Sequence, residues 1–125
     1  MAVTSPRPRV LLVDDDARIL SAFERLVSPW CDVVGRVTDV GALFDEAARL
    51  QPDVIVVDLF MPAREGLESW PHLKEIVPQA KIVVVSGADD PSTRNKALRA
   101  GASAFVSKMQ AADDLVLAIH EAAAT

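Results

Sequence analysis

The stretch Asp53-Val54-Ile55-Val56-Val57-Asp58 decides the fold. Its consecutive β-branched apolar residues leave neither face of a strand for water, and strands of that kind occupy the middle of parallel sheets covered by helices on both sides. Working outward, similar runs recur at Val10-Leu11-Leu12-Val13 and Ile82-Val83-Val84-Val85, with a shorter one at Phe105-Val106-Ser107. Helical periodicity fills the gaps. Ile19, Leu20, Phe23, Leu26 and Val27 share one face over 17–28, and Leu115, Ile119 and Ala122 form a stripe over 112–123. Strands alternating with helices are the signature of βα units.

The expected strands are 9–13, 32–37, 53–57, 81–85 and 104–107, the second being mixed in polarity as suits an edge. Pro29 closes the first helix, and Thr38 or Asp39 caps a second over 40–50 ahead of Pro52. The fourth helix opens with Asp90 as cap and Pro91 at its first position, and Gly101 ends it as a left-handed residue. The third is harder to place: Gly66 to Trp70 resembles a first turn, but Pro71 removes a hydrogen bond, which predicts a kink or a late start near Trp70. With right-handed crossovers these elements predict an α/β fold: a doubly wound five-stranded parallel sheet, order 2-1-3-4-5, with five helices, flavodoxin-like. Residues 1–8 read as a disordered N-terminal tail and 9–125 as one domain.

The formal net charge of -5 argues against nucleic acid or an acidic membrane surface as a direct partner. Cys31 is the only cysteine and reads as a half-buried thiol in a reducing compartment. Residues 1–9 hold two arginines and two prolines but no apolar segment, and no stretch has the length of a membrane span, so a cytoplasmic location is expected. His72 and His120 read as surface helix residues, and Trp30 and Trp70 as packing residues at helix edges.

Every apolar run except 32–37 ends in a reactive polar residue: Asp14 and Asp15, Asp58, Ser86, and Lys108. In a parallel sheet the carboxyl ends of the strands share one edge, where ligands bind. Three carboxylates there repel one another unless a cation intervenes, and Mg2+ suits oxygen ligands from one or two carboxylates plus phosphate. Asp15 and Asp58 would then be direct ligands, Asp14 would act through water, and a carbonyl just after Asp58 would complete the set. A carboxylate is also a nucleophile for phosphoryl transfer, with Lys108 and Ser86 placed to share the developing charge. Each residue alone has a plainer reading: turn aspartates, a turn serine, a solvated lysine, a core Phe105, and a solvated face of Arg94, Lys96 and Arg99. Their joint position on one edge outweighs it. No phosphate-binding glycine loop competes.

Over 9–123 the chain resembles the receiver domain of bacterial two-component response regulators. The resemblance rests on Leu-Leu-Val-Asp-Asp-Asp at 11–16, Val-Val-Asp-Leu-Phe-Met-Pro at 56–62, Val-Val-Val-Ser-Gly at 83–87, Ala-Gly-Ala at 100–102 and Phe-Val-Ser-Lys at 105–108. It implies that Asp58 accepts a phosphoryl group from a histidine kinase or a small donor. It further implies that Asp14 and Asp15 form the metal-binding pair, that Phe60 lends its carbonyl to Mg2+, and that Ser86 and Lys108 contact the phosphoryl oxygens. Phe105 stands at the switch-aromatic position and is expected to rotate inward on phosphorylation, altering the face of the fourth helix, fifth strand and fifth helix. That face, or the one formed by the first and fifth helices, would meet a second copy or an output domain. The implied role is a switch controlling transcription, not a turnover enzyme.

Two features depart from the usual pattern. Met109 follows the lysine where a cis-proline is common; a trans peptide is expected, because a non-proline cis bond costs about 2.5 to 4 kcal/mol. A lysine followed by a residue other than proline occurs in receivers attached to helix-turn-helix output domains, and the resemblance leans toward them. A haloacid-dehalogenase-like phosphatase, using Asp14 and Asp16, is one competing reading, and a pseudo-receiver that is never phosphorylated is another. The second departure is the apolar pair Phe60 and Ala88, each two residues past a site residue, which restricts attacking water. Phe60→Asn should therefore shorten the life of a phosphoryl group on Asp58, measured as its decay after acetyl phosphate loading; an unchanged decay refutes the idea.

Overall fold

A computed structural model of the chain describes residues 7–58, 64–87 and 90–125. The elements run β1 (Arg9–Val13), α1 (Ala17–Val27), β2 (Asp32–Val37), α2 (Val40–Leu50), β3 (Val54–Asp58), α3 (Arg64–Ile76), β4 (Lys81–Ser86), α4 (Pro91–Arg99), β5 (Ala104–Ser107) and, after one 3-10 turn at Lys108–Gln110, α5 (Ala111–Ala124). All four strand pairings are parallel, in the order β2-β1-β3-β4-β5.

Strand alternation sorts the apolar residues into two layers. Val10, Leu12, Val54, Val56, Val83 and Val85 pack with Leu20 and Val27 of α1 and Leu115 and Ile119 of α5. Leu11, Val13, Ile55, Val57, Ile82 and Val84 face the other way, against Leu43 and Ala47 of α2, Trp70 and Leu73 of α3, and Ala97 of α4. β3 is therefore buried along its whole length, as its composition requires. Because β1 lies directly beside β3, with Val13 opposite Val57, the residues that follow these strands emerge side by side.

Local chemistry fixes the ends. Asp16, Asp39 and Asp90 cap α1, α2 and α4 by accepting from the backbone N–H of Arg18, Ala42 and Thr93. Pro91 stands at the first position of α4, and Gly101 after it has φ +114, a left-handed conformation natural to glycine. Gln51 at the end of α2 also has positive φ (48). Pro52 disfavours the right-handed region for it, while its side-chain amide donates to Ala48 O and its Oε1 accepts from Gln79.

The kink or late start foreseen near Trp70 is corrected: α3 begins at Arg64 and continues through Pro71. Trp70, Leu73 and Val77 are buried against the sheet while Pro71 faces out. Burying such side chains yields about 1.5 to 3 kcal/mol each, enough to offset the roughly 3 kcal/mol cost of an interior proline. Trp30 is also corrected: it is 59% exposed, not a packing residue. Cys31 is fully buried beside it, which pushes its thiol up to about 11. Contacts of the fold reach back to Arg7, which donates to the Cys31 carbonyl and pairs with Asp32. Residues 1–6 of the expected tail lie outside the described residues.

At the β1/β2 edge the register jumps, Val10 facing Val33 and Leu11 facing Gly35. A Cβ on Gly35 would lie 2.8 Å from Leu50 Cδ1 and 3.1 Å from Leu11 Cδ1. Gly35→Val should lower stability by about 1 to 3 kcal/mol through overpacking. Urea unfolding measures this, and a variant as stable as the parent contradicts the close α2–β2 packing.

Candidate functional site

At the carboxyl edge of the sheet, β1 delivers Asp14 and Asp15, β3 delivers Asp58, β4 delivers Ser86, and the turn after β5 delivers Lys108. One carboxylate oxygen from each of Asp14, Asp15 and Asp58 lies within 4.8 Å of the other two. Asp14 and Asp58 are 1% and 5% exposed, whereas Asp15 faces solvent. Lys108 Nζ donates to Asp58 Oδ2 at 3.1 Å and stands 3.4 Å from Asp14 Oδ2. Ser107 Oγ accepts from the Met109 N–H, bracing the turn that aims Lys108 inward. Ser86 is fully buried, one residue beyond Val85, the register partner of Asp58. Sequence and structure thus agree on the convergence of Asp14, Asp15, Asp58 and Lys108, with Ser86 on the adjoining strand. Phe60 and Ala88 lie outside the described residues.

Each side chain is held by its neighbours. The Asp14 N–H donates to Val37 O, and Asp14 Oδ1 accepts from the Asp16 N–H at 2.9 Å. Asp14 Oδ2 is buried, and among the described residues its one close polar neighbour is the Lys108 ammonium, an ion pair at 3.4 Å at the long limit of a hydrogen bond. Burial raises the Asp14 carboxyl from its ordinary 3.8 to about 6, and the Asp58 charge adds to this, against the Asp16 amide and Lys108. For Lys108, burial alone would lower the ammonium, but the hydrogen bond and charge of Asp58, with the charge of Asp14, outweigh it and hold it above its ordinary value.

A buried, undersatisfied carboxylate oxygen among three acids, with one ammonium opposite, is a donor set that fits a hard divalent cation. Asp16 does not belong to it. Its carboxylate caps α1 and pairs with Arg18, so the Asp14/Asp16 pair needed for the phosphatase reading is not assembled. Met109 is 90% exposed at the rim, and its peptide with Lys108 is trans. Phe105 lies apart from the acids, on the α4 side, with the Arg94 guanidinium 5.2 Å from its ring centroid. Sequence reading put Arg94 on a solvated face; no local pattern signals a contact made across α4 and β5.

The family model described as the response regulator receiver domain matches residues 10–120. This chain is a response regulator receiver domain. It is 34% identical over 117 residues to the nitrate/nitrite response regulator protein NarL of Escherichia coli (strain K12), covering 92% of this chain and 54% of that protein. It is 30% identical over 101 residues to the chemotaxis protein CheY of Thermotoga maritima, covering 80% and 84%. Among solved structures, a LuxR-family two-component response regulator from Aurantimonas sp. SI85-9A1 superposes with TM-score 0.87 at 30% identity, over 95% of this chain and 86% of that one. The receiver domain of NarL from Mycobacterium tuberculosis, at 24% identity and TM-score 0.86 over 96% and 98%, shares the fold. The receiver domain thus spans about half the length of the Escherichia coli regulator. Among the described residues no helix is long and apolar enough to cross a membrane.

The raised Asp14 carboxyl makes a stability prediction whose sign is fixed. Between pH 3.8 and about 6 the folded receiver domain binds more protons at Asp14 than the unfolded chain does, so this group lowers stability as pH rises through that window and does so fully above it. In metal-free buffer, the stability of Asp14→Asn relative to wild type should rise by on the order of 2 kcal/mol from about pH 4 to about pH 7. Added Mg2+ should narrow the gap by stabilising wild type. Urea titrations across pH measure this, and a pH-independent difference refutes it.

Proposed function

We propose that this receiver domain is the phosphoacceptor of a two-component system and that Asp58 carries the phosphoryl group. The observation that carries the reading is the Asp58 carboxylate itself, buried at the end of β3 with Lys108 Nζ 3.1 Å from one oxygen and two further acids beside it. A phosphohistidine of a histidine kinase is the donor. An Asp58 oxygen attacks phosphorus, the phosphorus–nitrogen bond breaks, and the histidine retains the electron pair. Mg2+ suits the site and would be held by Asp14, Asp15 and Asp58, with the Phe60 carbonyl as the further ligand that the family resemblance implies; when bound it would offset negative charge on the phosphoryl oxygens. Lys108 passes from the Asp58 oxygen to a phosphoryl oxygen, and the Ser86 hydroxyl donates to another. The domain is switched by this transfer and is not a turnover enzyme.

The added charge is read by Ser86 and Phe105 and expressed on the face of α4, β5 and α5, while α1 and α5 offer a second surface. There Trp30 and Leu117 are exposed beside a shallow cavity of about 470 Å3 lined by Leu26, Val116 and His120. These are surfaces for a second copy or an output domain. Likeness to NarL and to a LuxR-family regulator supports an output that controls transcription in the cytoplasm. A net charge of -5 leaves DNA contact to another domain.

With acetyl phosphate and Mg2+, intact mass spectrometry should show one phosphoryl group gained by wild type and none by Asp58→Asn, with chelation of Mg2+ suppressing the gain. Absence of any gain, from acetyl phosphate and from kinases alike, would make the domain a non-phosphorylated binding module. Sustained turnover of p-nitrophenyl phosphate would make it a phosphatase.

A further inference from the structure

We propose that Arg94 is a positioning residue for Phe105, holding the aromatic ring in its buried rotamer before any phosphoryl group is present. The inference rests on the reading of Phe105 as the switch residue. Inward rotation is the expected consequence of phosphorylation, yet Phe105 is already only 8% exposed and belongs to the core cluster that includes Val84 and Ala97. Something holds it there, and packing from α4 is thin: Ala97 is the buried residue of that helix. Arg94, one turn earlier on α4, places its guanidinium carbon 5.2 Å from the ring centroid. Within about 6 Å a cation is attracted to the ring's electron-rich face.

Both partners also have somewhere else to go. A cavity of about 250 Å3 lies between α4 and α5 over β5, lined by Arg94, Phe105, Gln110, Asp114 and Glu121. It offers space for an outward ring, and its α5 wall offers carboxylates to a guanidinium that leaves the ring. Two arrangements of the ring follow: in, with the Arg94 guanidinium across it, or out, into the cavity and away from that contact. An attraction of cation–π strength at an exposed site shifts such an equilibrium about two- to fivefold. Arg94 therefore biases the unphosphorylated domain toward the inward state, and the phosphoryl group adds to that bias.

The test is fluorine NMR on protein carrying 4-fluorophenylalanine at its four phenylalanines, with Phe105 assigned as the resonance missing from Phe105→Leu. A soluble paramagnetic probe reads ring exposure. Arg94→Met, which keeps the aliphatic stem, should raise the exposed population of Phe105 about two- to fivefold, and Arg94→Lys should restore much of the wild-type value. Acetyl phosphate with Mg2+ should return the Arg94→Met ring to the buried state. An unchanged Phe105 resonance in Arg94→Met overturns the proposal, as does equal loosening in Arg94→Lys. If Arg94→Met loosens the ring, Arg94→Lys rescues it, and phosphorylation verified by mass leaves the loosened ring unmoved, the hold by Arg94 stands and the switch reading of Phe105 falls.

Discussion

Burial of β3 on both faces is the constraint from which the rest of the structure follows. Four β-branched residues in succession need an apolar layer above and below, and a parallel sheet with α1 and α5 on one side and α2, α3 and α4 on the other supplies both. A central β3 needs a neighbour on each side, and β1 and β4 provide them, with β2 and β5 left at the edges. Once β1 lies against β3, the residues after Val13 and after Val57 share one corner of the sheet. The acidic cluster is thus a consequence of hydrophobic topology, since nothing in the attraction between these groups would assemble three carboxylates.

That cluster is an electrostatic cost carried by the fold. Asp14 and Asp58 are both buried, and the raised carboxyl of Asp14 expresses the strain directly. Lys108 offsets part of it from the far side of the sheet, at 3.1 Å from Asp58, but one ammonium does not balance three acids. Asp14 Oδ2 stays buried with only the ion pair to Lys108 to meet it. A cation and a phosphoryl oxygen are complementary to that imbalance in opposite senses: the first meets the surplus of carboxylates, the second meets the ammonium. Either partner, if bound, would relieve part of the imbalance.

The sheet order, both edges, the Asp90 cap and the Pro91 and Gly101 ends of α4 were legible in the sequence, with Asp39 one of two cap candidates for α2, because each rests on local chemistry or on strand patterning. What was not legible depends on contacts distant in sequence. Pro71 sits inside α3 because Trp70 and Leu73 on either side of it are buried by the sheet, a tertiary effect that local propensity does not contain. Gln51 adopts positive φ under the joint influence of Pro52 and of Gln79, which is brought from the next crossover. Trp30 reads as a packing residue by size alone, yet the chain turns there so that Cys31 is buried and Trp30 is not. At the site, the four groups that meet could be listed from strand ends; which of them would be buried, and that Lys108 would reach Asp14 as well as Asp58, required the packed sheet.

β5 explains where a change of charge at Asp58 would be felt. Among the described residues it is the shortest strand, with four residues, and it pairs only with β4. It carries Phe105 toward α4 and ends immediately before Lys108, so the ammonium that touches Asp58 and the aromatic ring near Arg94 are three residues apart in the chain. β1 and β3 are clamped on both edges and both faces, and a force on them is resisted by the whole core. β5 is held by one ladder, a helix with little buried surface on one side, and α5 on the other. Local openings concentrate where buried contacts are fewest. A pull on Lys108 would therefore be expressed at the α4–β5 corner before it reached the acids, which the clamped strands β1 and β3 hold.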